Sequence, residues 1–170
     1  MIEDLRALIG KNRHLLEIGA GTGAFTRQLK SGLSRLAIVE PSAAMRAEFQ
    51  RHWDGPDILE VLPCKWEEAP EVRVDMVFGA NAFYRINDIA AALSKMNKLA
   101  QSRVALVQTV GRPHANPLTV TTDGVSRERE RADALCDVLD ELHIYHRRRD
   151  YEVLRPDGPS KAALIDWVPA

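Results

Sequence analysis

Three glycines, Gly19, Gly21 and Gly23, alternate directly after the run His14-Leu-Leu-Glu-Ile and ahead of a stretch with Phe25 and Leu29 at helical spacing. Glycines at such a strand-to-helix junction let the backbone, Ala20 included, pass close to a ligand and turn free amides toward it. Two carboxylates sharpen the pattern. Glu17 stands two residues before the first glycine, and Glu40 follows the next apolar run, Leu36-Ala-Ile-Val. A carboxylate at the end of a second strand, about 20 residues beyond the glycines, accepts from both hydroxyls of a ribose in doubly wound folds. The spacing is Gly-x-Gly-x-Gly, with Ala24 where a dinucleotide site places its third glycine, so a nicotinamide dinucleotide stays open. Glu17 separates the ligands, because an anion there opposes a pyrophosphate and suits an ammonium or a sulfonium. The expected chemistry is capture of a cationic nucleoside.

Further chemistry-bearing residues fall at strand ends. Trp66 in Cys64-Lys-Trp-Glu-Glu68 is open between contact with a purine and a plug of a core gap beside Pro63 and Pro70. Asn81, Tyr84 and Arg85 follow Val74-Asp-Met-Val-Phe78, where a substrate would arrive, or where a polar loop residue would cap the next helix. Structural or solvent roles suit His14, His52, His143 and His146, whereas His114 lies in a proline-bearing loop after a strand, on the ligand side of such sheets. Arg147, Arg148 and Arg149 read as a solvated strand edge. Metal-ligand clusters, nucleophile elbows and paired-acid motifs are not found in the sequence, and no residue is assigned a catalytic role.

The elements that must position these residues are those of one domain. The chain has 170 residues, 45% of them hydrophobic and 28% charged, which suits a single globular domain over 1–170. A net charge of -1 offers no field for nucleic acid or an acidic membrane. Cys64 and Cys136 stand far apart, without the spacing of a metal knuckle or redox pair, and the acidic start is unlike a signal peptide, so the cytoplasm is the expected location. Apolar runs alternate with amphipathic stretches, predicting an α/β, doubly wound, mainly parallel sheet of about six strands. Strands are expected at 14–19, 36–40, 58–62, 74–78, 103–110 and 145–154. Helices are expected at 1–10, after Gly23, after Ser42, and over 89–99 and 126–142, with a long loop over 111–124. The last stretch, Ser160 to Asp166, reads as helical, so the sheet is expected to lack a final antiparallel strand.

With these motifs in order, the sequence resembles the class I S-adenosylmethionine-dependent methyltransferases over roughly residues 12 to 110. Leu15-Leu-Glu-Ile-Gly-Ala-Gly-Thr-Gly23 is similar to their first motif, Val39-Glu-Pro-Ser42 to their ribose-binding strand end, and Phe78-Gly-Ala-Asn-Ala-Phe83 to the strand end facing the methyl group. The resemblance implies S-adenosylmethionine as cofactor. Glu17 and the Gly19, Ala20, Gly21 and Gly23 backbone would hold its methionine portion, and Glu40, with Pro41 beside it, its ribose. Lys65 and Trp66 would flank adenine, Met45 would pack on the other adenine face, and Asn81 would orient the methionine end or a substrate. Tyr84 and His114 are the candidates for substrate contact. The implied reaction is in-line methyl transfer to a small-molecule or protein acceptor, with no nucleic acid or membrane partner. A short substrate half leaves a second expectation beside it: a non-catalytic cofactor-binding module of the same fold, or an acceptor site completed in a homodimer.

Overall fold

The computed structural model describes residues 1–55, 59–110, 131–155 and 158–170. The elements run α1 (Ile2–Ile9), β1 (Arg13–Ile18), α2 (Thr26–Leu29), β2 (Leu33–Val39), α3 (Ala43–His52), β3 (Leu59–Leu62), β4 (Val74–Ala80), α4 (Ile89–Leu99), β5 (Ala100–Val110), α5 (Arg131–Glu141), β6 (Arg147–Arg155) and β7 (Gly158–Trp167). They build one seven-stranded sheet in the order β3-β2-β1-β4-β5-β7-β6. The five strands β1 to β5 pair in parallel, and β7 pairs antiparallel with both β5 and β6. The expected α/β doubly wound sheet is present, and it is fuller than expected.

Side-chain alternation divides the core between the two faces. Leu16, Ile18, Val77, Val104, Leu106 and Ile165 point to the face covered by Leu93 and Met96 of α4 and Leu135 and Leu139 of α5. Their neighbours Leu15, Met76, Phe78, Ala105, Val107 and Leu164 point to the other face, against Leu5 and Ile9 of α1, Leu29 of α2 and Phe49 of α3. A strand buried on both faces reads as a continuous apolar run, as β1, β2, β4 and β5 do. Helix starts follow the local chemistry. Ser42 Oγ accepts the Met45 amide at 3.4 Å to begin α3, and Asp88 Oδ1 accepts the Ala91 amide at 2.8 Å to begin α4.

The C-terminal segment corrects the sequence reading. Ser160 to Asp166 is strand, inside β7, and the antiparallel strand expected to be missing is there. Ser-Lys-Ala-Ala-Leu-Ile has helix-forming composition, but the slot between β5 and β6 buries Ala162 to Trp167 on both faces. Tertiary burial outweighs propensities of a few tenths of a kcal/mol per residue. The fully buried Asp166 in this strand accepts from Arg103 Nη1 and Arg147 Nη2, each at 2.7 Å, and Arg149 Nη2 lies 3.5 Å away. Two of the three consecutive arginines therefore face an internal carboxylate, and Arg148 pairs with Asp133 and Asp150. Both cysteines are free thiols. The expected loop over 111–124, the first residues of the helix expected over 126–142, and His114 lie outside the described residues. Among the described residues no helix is long and apolar enough to cross a membrane.

Candidate active site

Strand polarity selects where a ligand sits. In open α/β sheets the crevice lies beyond the carboxyl ends of the strands, where the strand order reverses, here between β1 and β4. A cavity of about 470 Å³ opens at that place, lined among others by Gly19, Gly21, Glu40, Met45, Lys65 and Asn81. A second cavity of about 450 Å³ lies at the opposite end of the sheet, but the guanidinium groups of Arg103 and Arg147 on its wall already face Asp166.

The glycine loop forms the cavity floor through bare backbone. Gly19 has φ +64, and a Cβ there would stand 2.7 Å from the Ala82 Cβ, so close packing of the β1 and β4 ends demands glycine. Gly21 has φ +57 and nothing within 4 Å of where its Cβ would be, so that space is free for a ligand. Its amide donates to Glu40 Oε2 at 2.9 Å, while the Ser42 amide donates to Glu40 Oε1 at 2.9 Å. Each carboxylate oxygen keeps a lone pair, so the fixed carboxylate can still accept two hydroxyls. Bare backbone beside an open Cβ position and a fixed carboxylate with free lone pairs fit the amino-acid and nucleoside halves of S-adenosylmethionine.

Glu17 is placed differently from the sequence expectation. Its side chain is 2% exposed and accepts the Thr26 hydroxyl at 2.6 Å, tying the end of β1 to the start of α2 behind the loop. Burial raises its pKa to about 8, against the opposing effect of the Thr26 bond, so at neutral pH the group is mostly uncharged. Its carboxyl faces Thr26 and is not among the residues that line the cavity. Ala20 and Gly23 also lie behind the floor: Ala20 is buried in the core cluster with Phe49, and a Cβ on Gly23 would stand 2.8 Å from the Phe49 ring.

Across the cavity, Lys65, Trp66 and Glu67 form the opposite wall with Pro41, Ser42 and Met45. Of the two alternatives for Trp66, the core plug is the one the fold displays. Its indole is 3% exposed and donates to the Ala92 carbonyl at 3.3 Å, plugging the core under α4, while the residue still lines the cavity. Glu67 is a wall residue that sequence reasoning passed over; an acid two positions beyond Lys65 was the available signal. Asn81 adopts φ +50 at the end of β4 and Oδ1 accepts the Thr109 amide at 2.8 Å. With its carbonyl held by β5, its amide NH₂ is the group left for the cavity. Tyr84, 60% exposed with the Arg85 guanidinium over its ring at 5.3 Å, lines this cavity and also a neighbouring apolar one of about 190 Å³. That neighbour runs between Phe83, Ile89, Gln108, Leu135 and Val138. Gln108 was not singled out from the sequence, where with Thr109 it follows the apolar run Val104 to Val107.

Comparison with known proteins agrees with this geometry. A family model described as a methyltransferase domain matches residues 16–107. No curated protein matches the chain. Among solved structures, the N-methyltransferase NodS from Bradyrhizobium japonicum superposes with TM-score 0.72 at 17% identity, covering 99% of this chain and 92% of that one. Magnesium protoporphyrin IX methyltransferase from Synechocystis, with bound S-adenosylhomocysteine, gives TM-score 0.72 at 14% identity over 99% of this chain and 81% of that one. YcgJ from Bacillus subtilis gives 0.72 at 12% identity over 98% and 97%. At these identities the likeness is one of fold, and the family model carries the assignment: the chain belongs to the methyltransferase-domain family, among the class I S-adenosylmethionine-dependent methyltransferases.

Proposed function

We propose that the chain transfers a methyl group from S-adenosylmethionine to a small, largely apolar acceptor, and that one domain spanning 1–170 carries both sites. One observation carries the reading: a polar cavity floored by glycine backbone and Glu40 adjoins an apolar cavity, and Tyr84 lines both. The neighbours named for N-methylation and for methylation of magnesium protoporphyrin IX support a small-molecule acceptor.

The residues take these roles. Glu40 receives the ribose hydroxyls on the lone pairs that Gly21 and Ser42 leave free. The Gly19 to Gly21 backbone and the Asn81 NH₂ would hold the methionine portion. Met45 and the backbone of Lys65 to Glu67 would hold adenine, with the Glu67 carboxylate available to its amino group. The bound cofactor supplies a methyl carbon on a sulfonium sulfur, open to in-line displacement. The chain contributes alignment, worth several kcal/mol when reacting atoms are held close. Tyr84 sits at the junction and sets how the acceptor enters.

Calorimetry with S-adenosylhomocysteine tests the reading. Micromolar-range binding is expected for the wild-type chain, weakened by roughly tenfold to a hundredfold in Glu40→Ala, as befits loss of hydrogen bonds to a charged group. No heat with either S-adenosylmethionine or its demethylated product would sink it.

A further inference from the structure

Gln108 is the one neutral polar side chain among the described walls of the apolar cavity apart from the Tyr84 phenol, and it is 5% exposed. A chain of hydrogen bonds fixes which way its amide faces. The Thr109 backbone amide donates at 2.8 Å, so the Asn81 atom it meets must be the carbonyl oxygen. That same oxygen lies 3.2 Å from the Gln108 amide, so the group Gln108 turns to it must be its NH₂, which also reaches the Thr109 carbonyl at 3.4 Å. The planar amide then sends Gln108 Oε1 the other way. Among the described residues no donor meets that oxygen. The other described walls are the apolar Phe83, Ile89, Ala134, Leu135 and Val138 and the charged Arg131.

A carbonyl oxygen held without a donor beside an apolar cavity is satisfied by a ligand that brings one. We propose that Gln108 is the polar specificity contact for the acceptor. It selects a small molecule with an O–H or N–H, and disfavours the isostere that lacks the donor. This rests on the reading that the apolar cavity takes the acceptor, and it goes beyond that reading by naming the acceptor's chemistry. Sites built to hydrogen-bond a substrate O–H or N–H discriminate strongly against the analogue without it, by factors of roughly 10⁴ to 10⁵. Fragments that fill only part of the cavity show a smaller share of this.

The test uses the full chain saturated with S-adenosylhomocysteine and two matched pairs of probes, phenol with toluene and indole with N-methylindole, titrated by ligand-observed NMR. The expected result is that the donor-bearing member of each pair binds at least tenfold tighter to the wild-type chain. In Gln108→Leu this preference falls below twofold, while affinity for S-adenosylhomocysteine stays within twofold. Gln108→Met, which keeps the side-chain length, is the second variant if the leucine form does not fold. Equal binding of the paired probes by the wild-type chain, no binding of any probe, or a preference that survives in both variants overturns the proposal. Failure of S-adenosylhomocysteine itself to bind is a different outcome, and it removes the cofactor reading instead.

Discussion

Glu17 and Glu40 are carboxylates of the same neighbourhood with opposite surroundings. Glu40 is met by two backbone amides, whereas Glu17 is met by one hydroxyl and otherwise by apolar groups. The Glu17 pKa of about 8 in the folded chain stands above the ordinary 4.5, so the folded state holds a proton that the unfolded state has released between those values. Linkage then requires stability to fall as pH rises through that window, by up to about 1.4 kcal/mol per pH unit, and to level off above about 8. Urea unfolding at pH 5.5, 6.5 and 7.5 is expected to show this decline in the wild-type chain and a shallower one in Glu17→Gln. Parallel pH profiles for the two proteins would show that Glu17 does not hold the proton. Both acids were legible in the sequence because their positions follow from local strand and loop spacing. The charge state of Glu17 was not, because its burial depends on α2 packing over the end of β1. Gln108 was illegible for a similar reason: its partner Asn81 is 27 residues away and meets it only once β4 and β5 pair.

At the level of elements, the turn over 66–69 that walls the cofactor cavity is held from outside by α4. Lys95 Nζ donates to the Trp66 carbonyl at 2.8 Å and the Ala69 carbonyl at 2.7 Å, with the Glu67 carbonyl at 3.4 Å, and stands 4.6 Å from the Trp66 ring centre. One ammonium thus fixes three carbonyls of a turn that has no strand pairing of its own. Lys95→Met keeps the aliphatic stem over the indole and removes the donors. Amide exchange across 66–69 is expected to quicken, and S-adenosylhomocysteine affinity to fall about threefold to tenfold through looser positioning of that wall. Unchanged exchange in the variant would refute the clamp. Strands β1, β2, β4 and β5 and helix α4 were readable in the sequence, since their apolar runs and caps are local signals. The exception, β7, has alanines and a lysine that favour helix, and only the gap between β5 and β6 makes it a strand.

Across the whole molecule, the two ends of the sheet carry different tasks. The carboxyl ends of β1, β2, β4 and β5 face the two adjoining cavities, while the far end holds Asp166 among Arg103, Arg147 and Arg149. The shortness that made the substrate half look thin is met by β7, which completes the sheet next to β5 and lets α5 form a wall of the apolar cavity. Arg103 is the most enclosed of the three arginines, with its side chain 23% exposed, so it depends on Asp166 more than the others do. Asp166→Asn keeps the shape and removes the charge, leaving that guanidinium enclosed and unneutralised. Breaking a buried pair costs about 3–5 kcal/mol, and the partial exposure of the arginines reduces this to about 2–3 kcal/mol. For a chain of this length that lowers the melting temperature by roughly 5–10 °C. Because the pair lies at the opposite end of the strands from the cofactor cavity, S-adenosylhomocysteine affinity measured well below the new melting temperature is expected to stay within twofold of wild type. Glu40→Ala should show the reverse order of effects, with affinity the larger loss and melting lowered less than in Asp166→Asn. An Asp166→Asn protein that melts as the wild type does, or one that loses cofactor affinity while still folded, would show that the two ends are not separable in this way.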